Sequence, residues 1–317
     1  MMWRMVSGSQ DGVLRRLRVA DEGALKDILS RQNDRDIYMR SLVWNLGPDV
    51  PAELGMLLGW WVDGALVGVF LHGPVVVMCC EDAAGLAAFA ERVGYYWYEQ
   101  PVAQLMAPRA MAEVFLAGLA DHFGTLPPLH LLRHRMPMMR LAQGQLPSAS
   151  LLGLPPGMCD PPLRRGLLSE EDLLAKFARA VTLEDLGLDP LVLAPSGFRQ
   201  ALRHRIALGH EYLWVDGDRP VFRAAISAAT PEAVLVEGVY VPPDLRGRGY
   251  GKAGMFSLCT QLLKDHGAVV LLVGEDNDAA RRLYDRLGFE TFDEYQASFF
   301  DVDSGPAPRA AEGGASP

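Results

Sequence analysis

The chain has few cysteines, and their spacing fits neither a disulfide framework nor a zinc site. Among 317 residues only Cys79, Cys80, Cys159 and Cys259 are cysteines, and none form a C-x-x-C pair. Secreted scaffolds held by disulfides and zinc ribbons both depend on such patterns. The histidines show no metal-ligand spacing with acids or cysteines either. We therefore expect reduced, buried thiols, a cytoplasmic protein and no bound metal.

Long apolar runs are also missing. The strongest candidate, residues 65–80, is shorter than the roughly 20 residues a helix needs to cross a bilayer, and it contains His72 and Pro74. Two buried strands around a turn fit this stretch better than a membrane span. Residues 1–12 lack the continuous apolar core of a signal peptide. We expect neither export nor a membrane partner.

Positive charge is scarce, because 30 Lys and Arg residues face 39 Asp and Glu residues, for a formal net charge of −9. This balance argues against nucleic acid as the main partner and mildly favours cationic ones. It does not locate a site, and nothing in the composition fixes an oligomeric state. The length allows two ordinary domains, each with its own core.

Two short motifs recur at similar offsets. Leu14-Arg15-Arg16 returns as Leu163-Arg164-Arg165, and Trp61-Val62-Asp63-Gly64 returns as Trp214-Val215-Asp216-Gly217, at offsets of 149 and 153 residues. In both copies Asp-Gly separates two β-rich runs, which is typical of a hairpin. Short matches of this kind also arise by chance. The agreement of the offsets favours a duplicated chain.

The composition between and after the repeats suggests domain boundaries. Residues 144–162 are rich in Gly, Pro and Ser, as linkers are, and residues 304–317 have few large apolar side chains. We expect a first domain over 1–143, a linker over 144–162, a second domain over 163–303 and a disordered tail over 304–317.

A glycine-rich turn in the second half follows a strand and opens a helix. Arg246-Gly247-Arg248-Gly249-Tyr250-Gly251 lets the backbone approach a ligand closely, and the helix adds the positive end of its dipole. This combination predicts a cradle for a phosphate or pyrophosphate.

Two other interpretations fit part of this turn. Residues 249–254 match the dinucleotide fingerprint, with Glu275 at the end of the next strand as a ribose-binding acid. However, residues 242–245 separate the turn from its strand, and too little chain follows Phe289 for a doubly wound sheet. A basic loop for nucleic acid would leave the second helix unexplained.

The turn and the segment after it together resemble the GNAT superfamily of N-acyltransferases. Arg246-x-x-Gly249-x-Gly251, after a strand ending in Val-Pro-Pro-Asp, is similar to that superfamily's acyl-CoA pyrophosphate loop. Asn277-x-x-Ala280-x-x-x-Tyr284-x-x-x-Gly288-Phe289 is similar to its next segment in order and spacing. The resemblance implies a mixed α/β fold of two tandem GNAT-like domains, each a twisted, mixed, largely antiparallel sheet flanked by helices.

The resemblance also implies a reaction and its cosubstrate. The second domain would move an acetyl or other acyl group from acetyl-CoA to a primary amine of a small molecule or peptide, by direct attack in a ternary complex. For Arg248, a side chain that points to solvent agrees with the pattern as well as one that contacts a phosphate. The cofactor-binding residues implied are Val239, Val241, Arg246, Gly247, Arg248, Gly249, Tyr250, Gly251, Lys252, Asn277 and Ala280.

Two residues are implied in proton transfer. Glu237 alternates with Val239 and Val241 on one side of the strand and could accept the proton of an amine. A solvated or ion-paired glutamate fits the pattern nearly as well. Tyr284 occupies the superfamily's general-acid position, although a tyrosine at helical spacing also fits core packing. A non-catalytic acyl-CoA sensor would need the cradle but neither of these groups.

The first half differs where the chemistry would lie. In place of the Gly/Arg turn it has Cys80-Glu81-Asp82-Ala83-Ala84-Gly85, and it has no equivalent of Asn277 and Tyr284. Two acids suit a helix N-terminus but repel a pyrophosphate. We expect a degenerate GNAT-like domain that binds no CoA.

Overall fold

Both copies of the Trp-Val-Asp-Gly repeat form the turn of a β-hairpin, as predicted. In the first copy Val62 pairs with Ala65, and in the second Asp216 pairs with Arg219. The apolar run over residues 65–80 likewise forms two strands with a turn between them. Alternation and turn chemistry were therefore sufficient to place these elements.

The computed structural model describes residues 12–30, 34–187, 189–193 and 195–302. The chain divides into two compact units: unit 1 draws on Met1–Met136 and Asp293–Pro317, and unit 2 is Pro137–Phe292. The tail expected over 304–317 lies outside the described residues. None of the helices in the described ranges combines the length and hydropathy of a membrane span.

Unit 1 is a mixed sheet with helices packed on it. Its strands β1 to β4 follow one another antiparallel, and β4 then runs parallel to β5. The described elements that lie wholly in this unit are β1 (Gly12–Arg16), α1 (Glu22–Ser30), α2 (Ile37–Leu46), β2 (Met56–Val62), β3 (Ala65–His72), β4 (Val75–Cys80), α3 (Ala83–Tyr95), β5 (Gln104–Pro108) and α4 (Arg109–Phe123). The core of the sheet and the helices α3 and α4 includes Trp60, Phe70, Phe89 and Phe115.

Unit 2 repeats this order. Strands β7 to β10 follow one another antiparallel, and β10 then runs parallel to β11. Its described elements are β7 (Arg164–Arg165), α5 (Glu171–Leu186), α6 (Pro190–Leu193), α7 (Pro195–Ala207), β8 (Glu211–Asp216), β9 (Arg219–Ala229), β10 (Val234–Tyr240), α8 (Tyr250–Leu262), β11 (Ala268–Leu272) and α9 (Asp278–Arg286). The predicted mixed, largely antiparallel sheet flanked by helices is therefore confirmed in both units.

Each unit is completed by a strand from the other half of the sequence. Strand β6 (Leu129–Ala142) pairs antiparallel with β11 through its residues 138–142. Strand β12 (Glu290–Phe300) pairs antiparallel with β5 through its residues 295–299. The division between the units falls inside both strands. This exchange differs from the sequential domains expected from composition, because a strand's pattern shows which face is buried and not which neighbour it pairs with.

An ion pair recurs at equivalent positions in the two units. Arg15 donates two hydrogen bonds to Asp21, at 2.8 and 2.7 Å, and Arg164 donates two to Glu170 at the same distances. In each copy the carboxylate also accepts the backbone N–H of the residue three positions before it. The arginine of the Leu-Arg-Arg repeat thus makes the same contact twice, which supports a duplication.

Residues 144–162, expected as a linker, pack on unit 2. Leu154 is 7% exposed and belongs to that unit's core, and residues 156–158 form a 3-10 turn. Lys252 donates from Nζ to the carbonyl of Leu152 at 2.6 Å. The Gly/Pro/Ser composition reflects turns held on a domain surface.

Candidate acyl-CoA site

A cleft opens in the unit 2 sheet where β10 leaves β11. The two strands pair from Val234 opposite Val269 to Val236 opposite Leu271. Beyond Val236, the described part of the chain shows β10 paired with β9 alone. Glu237, Val239 and Val241 therefore lie on the stretch of chain that runs past this opening.

A β-bulge interrupts β10 inside the cleft. Glu237 pairs with Ala225 and Tyr240 with Arg223, so two residues of β10 face one of β9. The bulge contains Gly238, whose φ of +57° lies in the left-handed region that favours glycine. An added Cβ there would lie 2.2 Å from Nη1 of Arg223, so a side chain at this position would also displace the Arg223 guanidinium.

The glycine-rich turn leads directly into α8. Gly249 has a φ of +93° and occupies the N-cap of the helix. The first backbone hydrogen bond of α8 runs from the N–H of Ala253 to the carbonyl of Gly249 at 3.0 Å, so the N–H groups of residues 250–252 have no intrahelical acceptor. These donors and the helix dipole suit an anion, and the pyrophosphate of CoA is the anion that the resemblance predicts here.

Most side chains of the turn already have partners in the protein. Arg246 donates from Nη2 to Glu184 at 2.6 Å and from Nε to the carbonyl of Val241 at 3.0 Å. The guanidinium also lies 5.6 Å from the ring centroid of Tyr240. Arg248 is exposed, and the described residues provide no hydrogen-bond partner for it.

Two further predicted residues contact other parts of unit 2. The hydroxyl of Tyr250 donates to Asp216 at 2.9 Å, and its ring lies 5.1 Å from that of Trp214. This hydrogen bond raises the pKa of Tyr250. The side chain of Lys252 is bonded to the backbone of residue 152, as described above. The side chains of both residues thus have protein partners, whereas their backbone N–H groups have no intrahelical acceptor.

Asn277 begins the second helix of the motif. Its side-chain oxygen accepts the backbone N–H of Ala280 at 3.1 Å, which makes it the N-cap of α9. Ala280 is partly buried and packs against the unit 2 core. The spacing of Asn277 and Ala280 therefore sets the start of α9. Helix α9 in turn carries Tyr284.

Tyr284 is buried in unit 2, at 6% exposure, with its ring 5.7 Å from that of Phe289. Burial raises the pKa of the phenol well above its usual value, and charges at Asp185 and Cys259 raise it further. Leu283, its neighbour in α9, approaches the start of α8, since a Cβ on Gly251 would lie 3.7 Å from Leu283 Cδ2. The phenol is thus held in its protonated form within the unit 2 core, which also contains Cys259 of α8.

Glu237 is half-buried in the cleft strand. Within the described ranges it makes neither a hydrogen bond nor an ion pair. No group of three or more metal-ligating side chains occurs in those ranges either. The bulge interrupts the predicted alternation of Glu237 with Val239 and Val241, because Val236, Val239 and Val241 all pack on the same core cluster. The Glu237 carboxylate lacks a protein partner in the described residues, but it does not share a side of the strand with Val239 and Val241 as the sequence predicted.

The corresponding turn of unit 1 is occupied by its own side chains. Asp82 caps α3 by accepting the N–H of Gly85 at 2.9 Å, and Glu81 accepts a hydrogen bond from Arg35 at 2.9 Å. Carboxylates thus stand where phosphate oxygens would bind.

Arg223 and Glu211 were not predicted from the sequence. Arg223 lies on β9, next to the cleft strand, and Glu211 lies on β8, one strand further away. Their side chains are 3% and 0% exposed, and two hydrogen bonds of 2.9 and 2.7 Å join them. Arg223 interrupts the apolar run Pro220–Ile226, and a charged residue in such a strand is buried only when it is paired. Arg223 inside an apolar strand and Gly238 inside the next strand are the two sequence features from which this contact could have been predicted.

The comparisons with known proteins agree with this geometry over the second half of the chain. Residues 185–289 match the family described as "Acetyltransferase (GNAT) family". This part of the chain is a GNAT acetyltransferase domain. The match contains the cleft strand, the turn, α8 and α9, so the GNAT domain includes every predicted site residue. No curated protein matches the sequence.

Solved structures share the fold over nearly the whole chain. A GCN5-related N-acetyltransferase from Sphaerobacter thermophilus has a TM-score of 0.55 at 17% identity, covering 93% of this chain and 97% of its own. A GNAT-family acetyltransferase from Colwellia psychrerythraea has a TM-score of 0.50 at 11% identity, with coverages of 91% and 99%. The tandem GNAT-like fold is thereby confirmed beyond the matched domain.

One structural neighbour has a named amine substrate. It is a GCN5-related glucosamine N-acetyltransferase region of a fungal multi-domain GH3 β-N-acetylglucosaminidase, with a TM-score of 0.53 at 13% identity. It covers 93% of this chain and 38% of that protein. At this identity the likeness concerns the fold alone.

Proposed function

We propose that the GNAT domain transfers an acetyl or other acyl group from CoA to a primary amine, by direct attack in a ternary complex. The observation that carries this proposal is the cradle at the start of α8, where the N–H groups of residues 250–252 lack intrahelical acceptors beside the opening between β10 and β11. Bound acetyl-CoA would supply the activated acyl group. We place the reaction in the cytoplasm because the spacing of the four cysteines is not that of a disulfide framework.

The backbone of the cleft strand supplies the remaining polar contacts. The carbonyl of Val241 accepts from Arg246, so its free lone pair and the backbone of Val239 are the groups available to a pantetheine arm. A backbone N–H in this strand can also stabilise negative charge on a carbonyl oxygen. Arg246 and Arg248 add positive charge at the mouth of the site.

Proton removal from the acceptor is assigned to Glu237. An amine with a pKa of about 10.4 is mostly protonated at neutral pH and must lose a proton before it can attack. A half-buried carboxylate without a protein partner can take that proton, directly or through one water.

Proton return is assigned to Tyr284. Its buried phenol keeps its proton at neutral pH and can donate it to a leaving thiolate. The raised pKa makes it a weaker acid than an ordinary tyrosine, and this observation favours the second candidate function, a non-catalytic acyl-CoA sensor. Catalysis requires Tyr284 and Glu237, whereas a sensor requires only the cradle.

The acceptor is assigned by class alone, as a primary amine of a small molecule or peptide. The test is a screen of amine libraries with purified full-length protein and acetyl-CoA, with released CoA thiol as the readout. A Glu237→Gln variant serves as the control for background hydrolysis. Amine-dependent release that the variant lowers supports the transferase. Acetyl-CoA binding without release on any amine supports the sensor, and no binding contradicts both.

A further inference from the structure

Arg223 makes three hydrogen bonds that reach from the core of unit 2 to the cleft strand. Two of them bind Glu211, and the third runs from Nη1 to the carbonyl of Gly238 at 3.0 Å. Glu211 is itself held by Arg205, whose Nε donates to Oε1 at 2.8 Å. The guanidinium therefore has a fixed position, and it fixes the carbonyl that it binds.

The peptide group that follows Gly238 transmits this constraint. In a trans peptide the carbonyl of one residue and the N–H of the next point in opposite directions in one plane. The carbonyl of Gly238 points at Arg223, so the N–H of Val239 points away from it. Val239 is the other residue of the bulge, and within the described residues it lies on the stretch of β10 that no longer pairs with β11.

Burial explains why this arrangement persists in the folded protein. Arg223 and Glu211 are only 3% and 0% exposed, and an unpaired charge at such burial is strongly disfavoured. Removing either residue alone would therefore destabilise the folded protein. A two-residue bulge without an anchor could place the 238–239 peptide in more than one orientation. The ion pair selects one.

We propose that Arg223 is a positioning residue of the acyl-transfer site, which fixes the direction of the Val239 N–H through the carbonyl of Gly238. The inference rests on the proposed function, because it assigns that N–H to the acyl group or pantetheine arm. Arg223 itself contacts neither the cosubstrate nor the reacting atoms.

Two variants test the role in the full-length protein. Arg223→Lys keeps the charge opposite Glu211 but lacks the planar fork that also reaches Gly238. The double variant Arg223→Met/Glu211→Met removes the two fully buried charges, a replacement that buried ion pairs often tolerate without loss of stability. It leaves Arg205 without its carboxylate partner, but that side chain is 24% exposed and can be solvated. Arg164→Lys, which alters an exposed ion pair of the same unit, is the matched control.

The main readout is the amide resonance of Val239 in protein labelled with ¹⁵N-valine. We expect it to shift on addition of acetyl-CoA in the wild type and the control, and to respond weakly or with several conformers in both test variants. On an acceptor from the amine screen, kcat should fall by about 10²-fold, the scale of one lost backbone donor, while KM for acetyl-CoA changes less than about threefold.

The outcomes separate the two proposals. A folded double variant with the wild-type Val239 response and wild-type kcat overturns the role of Arg223 and leaves the proposed function intact. The role of Arg223 is also overturned if turnover falls only in proportion to thermal stability across the variants. A purely structural role of Arg223 predicts that proportionality. If the wild type binds no acetyl-CoA by calorimetry, the proposed function fails first and the inference with it.

Discussion

Arg246 and Glu184 form an ion pair of 2.6 Å at the mouth of the cleft, between the glycine-rich turn and helix α5. The arginine of the turn is thus bound to a carboxylate of its own protein. Both side chains are almost half exposed, at 49% and 42%, so the pair contributes at most about 1 kcal/mol. A phosphate entering the turn would compete with Glu184 for the same guanidinium.

The first prediction follows from this competition. Glu184→Gln should tighten acetyl-CoA binding by up to about fivefold, because about 1 kcal/mol of competing attraction is removed. Calorimetric titration at two salt concentrations measures the effect, which should diminish at high salt.

Asp172→Asn is the matched control, since it removes an exposed carboxylate from the other end of the same helix. It should leave the affinity unchanged. Equal affinities for wild type and Glu184→Gln would show that Arg246 does not approach the phosphates.

The second prediction concerns the cradle. Gly251→Glu should abolish the thermal stabilisation by acetyl-CoA, which would amount to about 2.7 kcal/mol at a ligand concentration of 100 Kd. The substitution places negative charge at the anion site. Gly251→Ala is the control, because a Cβ there would lie at ordinary contact distances of 3.6 and 3.7 Å from its neighbours.

The same titration counts the sites. We expect one acetyl-CoA per chain in the wild type and none in Gly251→Glu, since Glu81 and Asp82 occupy the equivalent turn of unit 1. A site that survives in the variant would show that unit 1 retains cofactor binding. Unchanged affinity in a folded Gly251→Glu protein would show that the cradle lies elsewhere.

The third prediction concerns Tyr284. Tyr284→Phe should preserve acetyl-CoA affinity and lower kcat by about 10²-fold, the usual scale for a positioned proton donor. Burial and the charge of Asp185 raise its pKa above the ordinary 10.0, so the protonated acid persists as the pH rises. Loss of kcat through its deprotonation should therefore begin above about pH 10. A decline of wild-type kcat centred near pH 8 that disappears in Tyr284→Phe would contradict this.

The fourth prediction concerns a buried carboxylate of unit 1. Asp36 is 2% exposed, and burial raises its pKa from 3.8 to about 6 despite the nearby charge of Arg35. The folded state thus favours the protonated form, and its contribution to stability is full below pH 3.8 and is lost as the pH rises through about 6. Asp36→Asn should stabilise the protein by up to about 3 kcal/mol at pH 7.5 and far less at pH 4.

Denaturant unfolding at the two pH values measures the difference. The exposed Asp121 on α4 provides the control, because Asp121→Asn should change stability by less than about 0.5 kcal/mol at either pH. An Asp36→Asn variant that is less stable than the wild type at pH 7.5 would show that the charged form is the one the fold favours.

Local sequence patterns predicted the elements of the fold well. The Asp-Gly turns placed both hairpins, and the spacing from Asn277 to Tyr284 placed α9. The partners of individual side chains could not be predicted, because Lys252 binds a backbone carbonyl 100 residues away in the sequence and Tyr250 binds Asp216, 34 residues away. Motif spacing identifies which backbone surrounds a ligand, whereas side-chain contacts depend on the whole tertiary arrangement.

The exchanged strands have a consequence for biosynthesis. Strand β5 meets its antiparallel neighbour only when residues 295–299 have been made. A nascent chain that has emerged as far as residue 136 therefore holds the hairpins and helices of unit 1 with one flank of β5 still open. Domains usually fold in the order in which the ribosome delivers them. Here the unit that is translated first cannot complete its sheet until the last strand of the chain has been made.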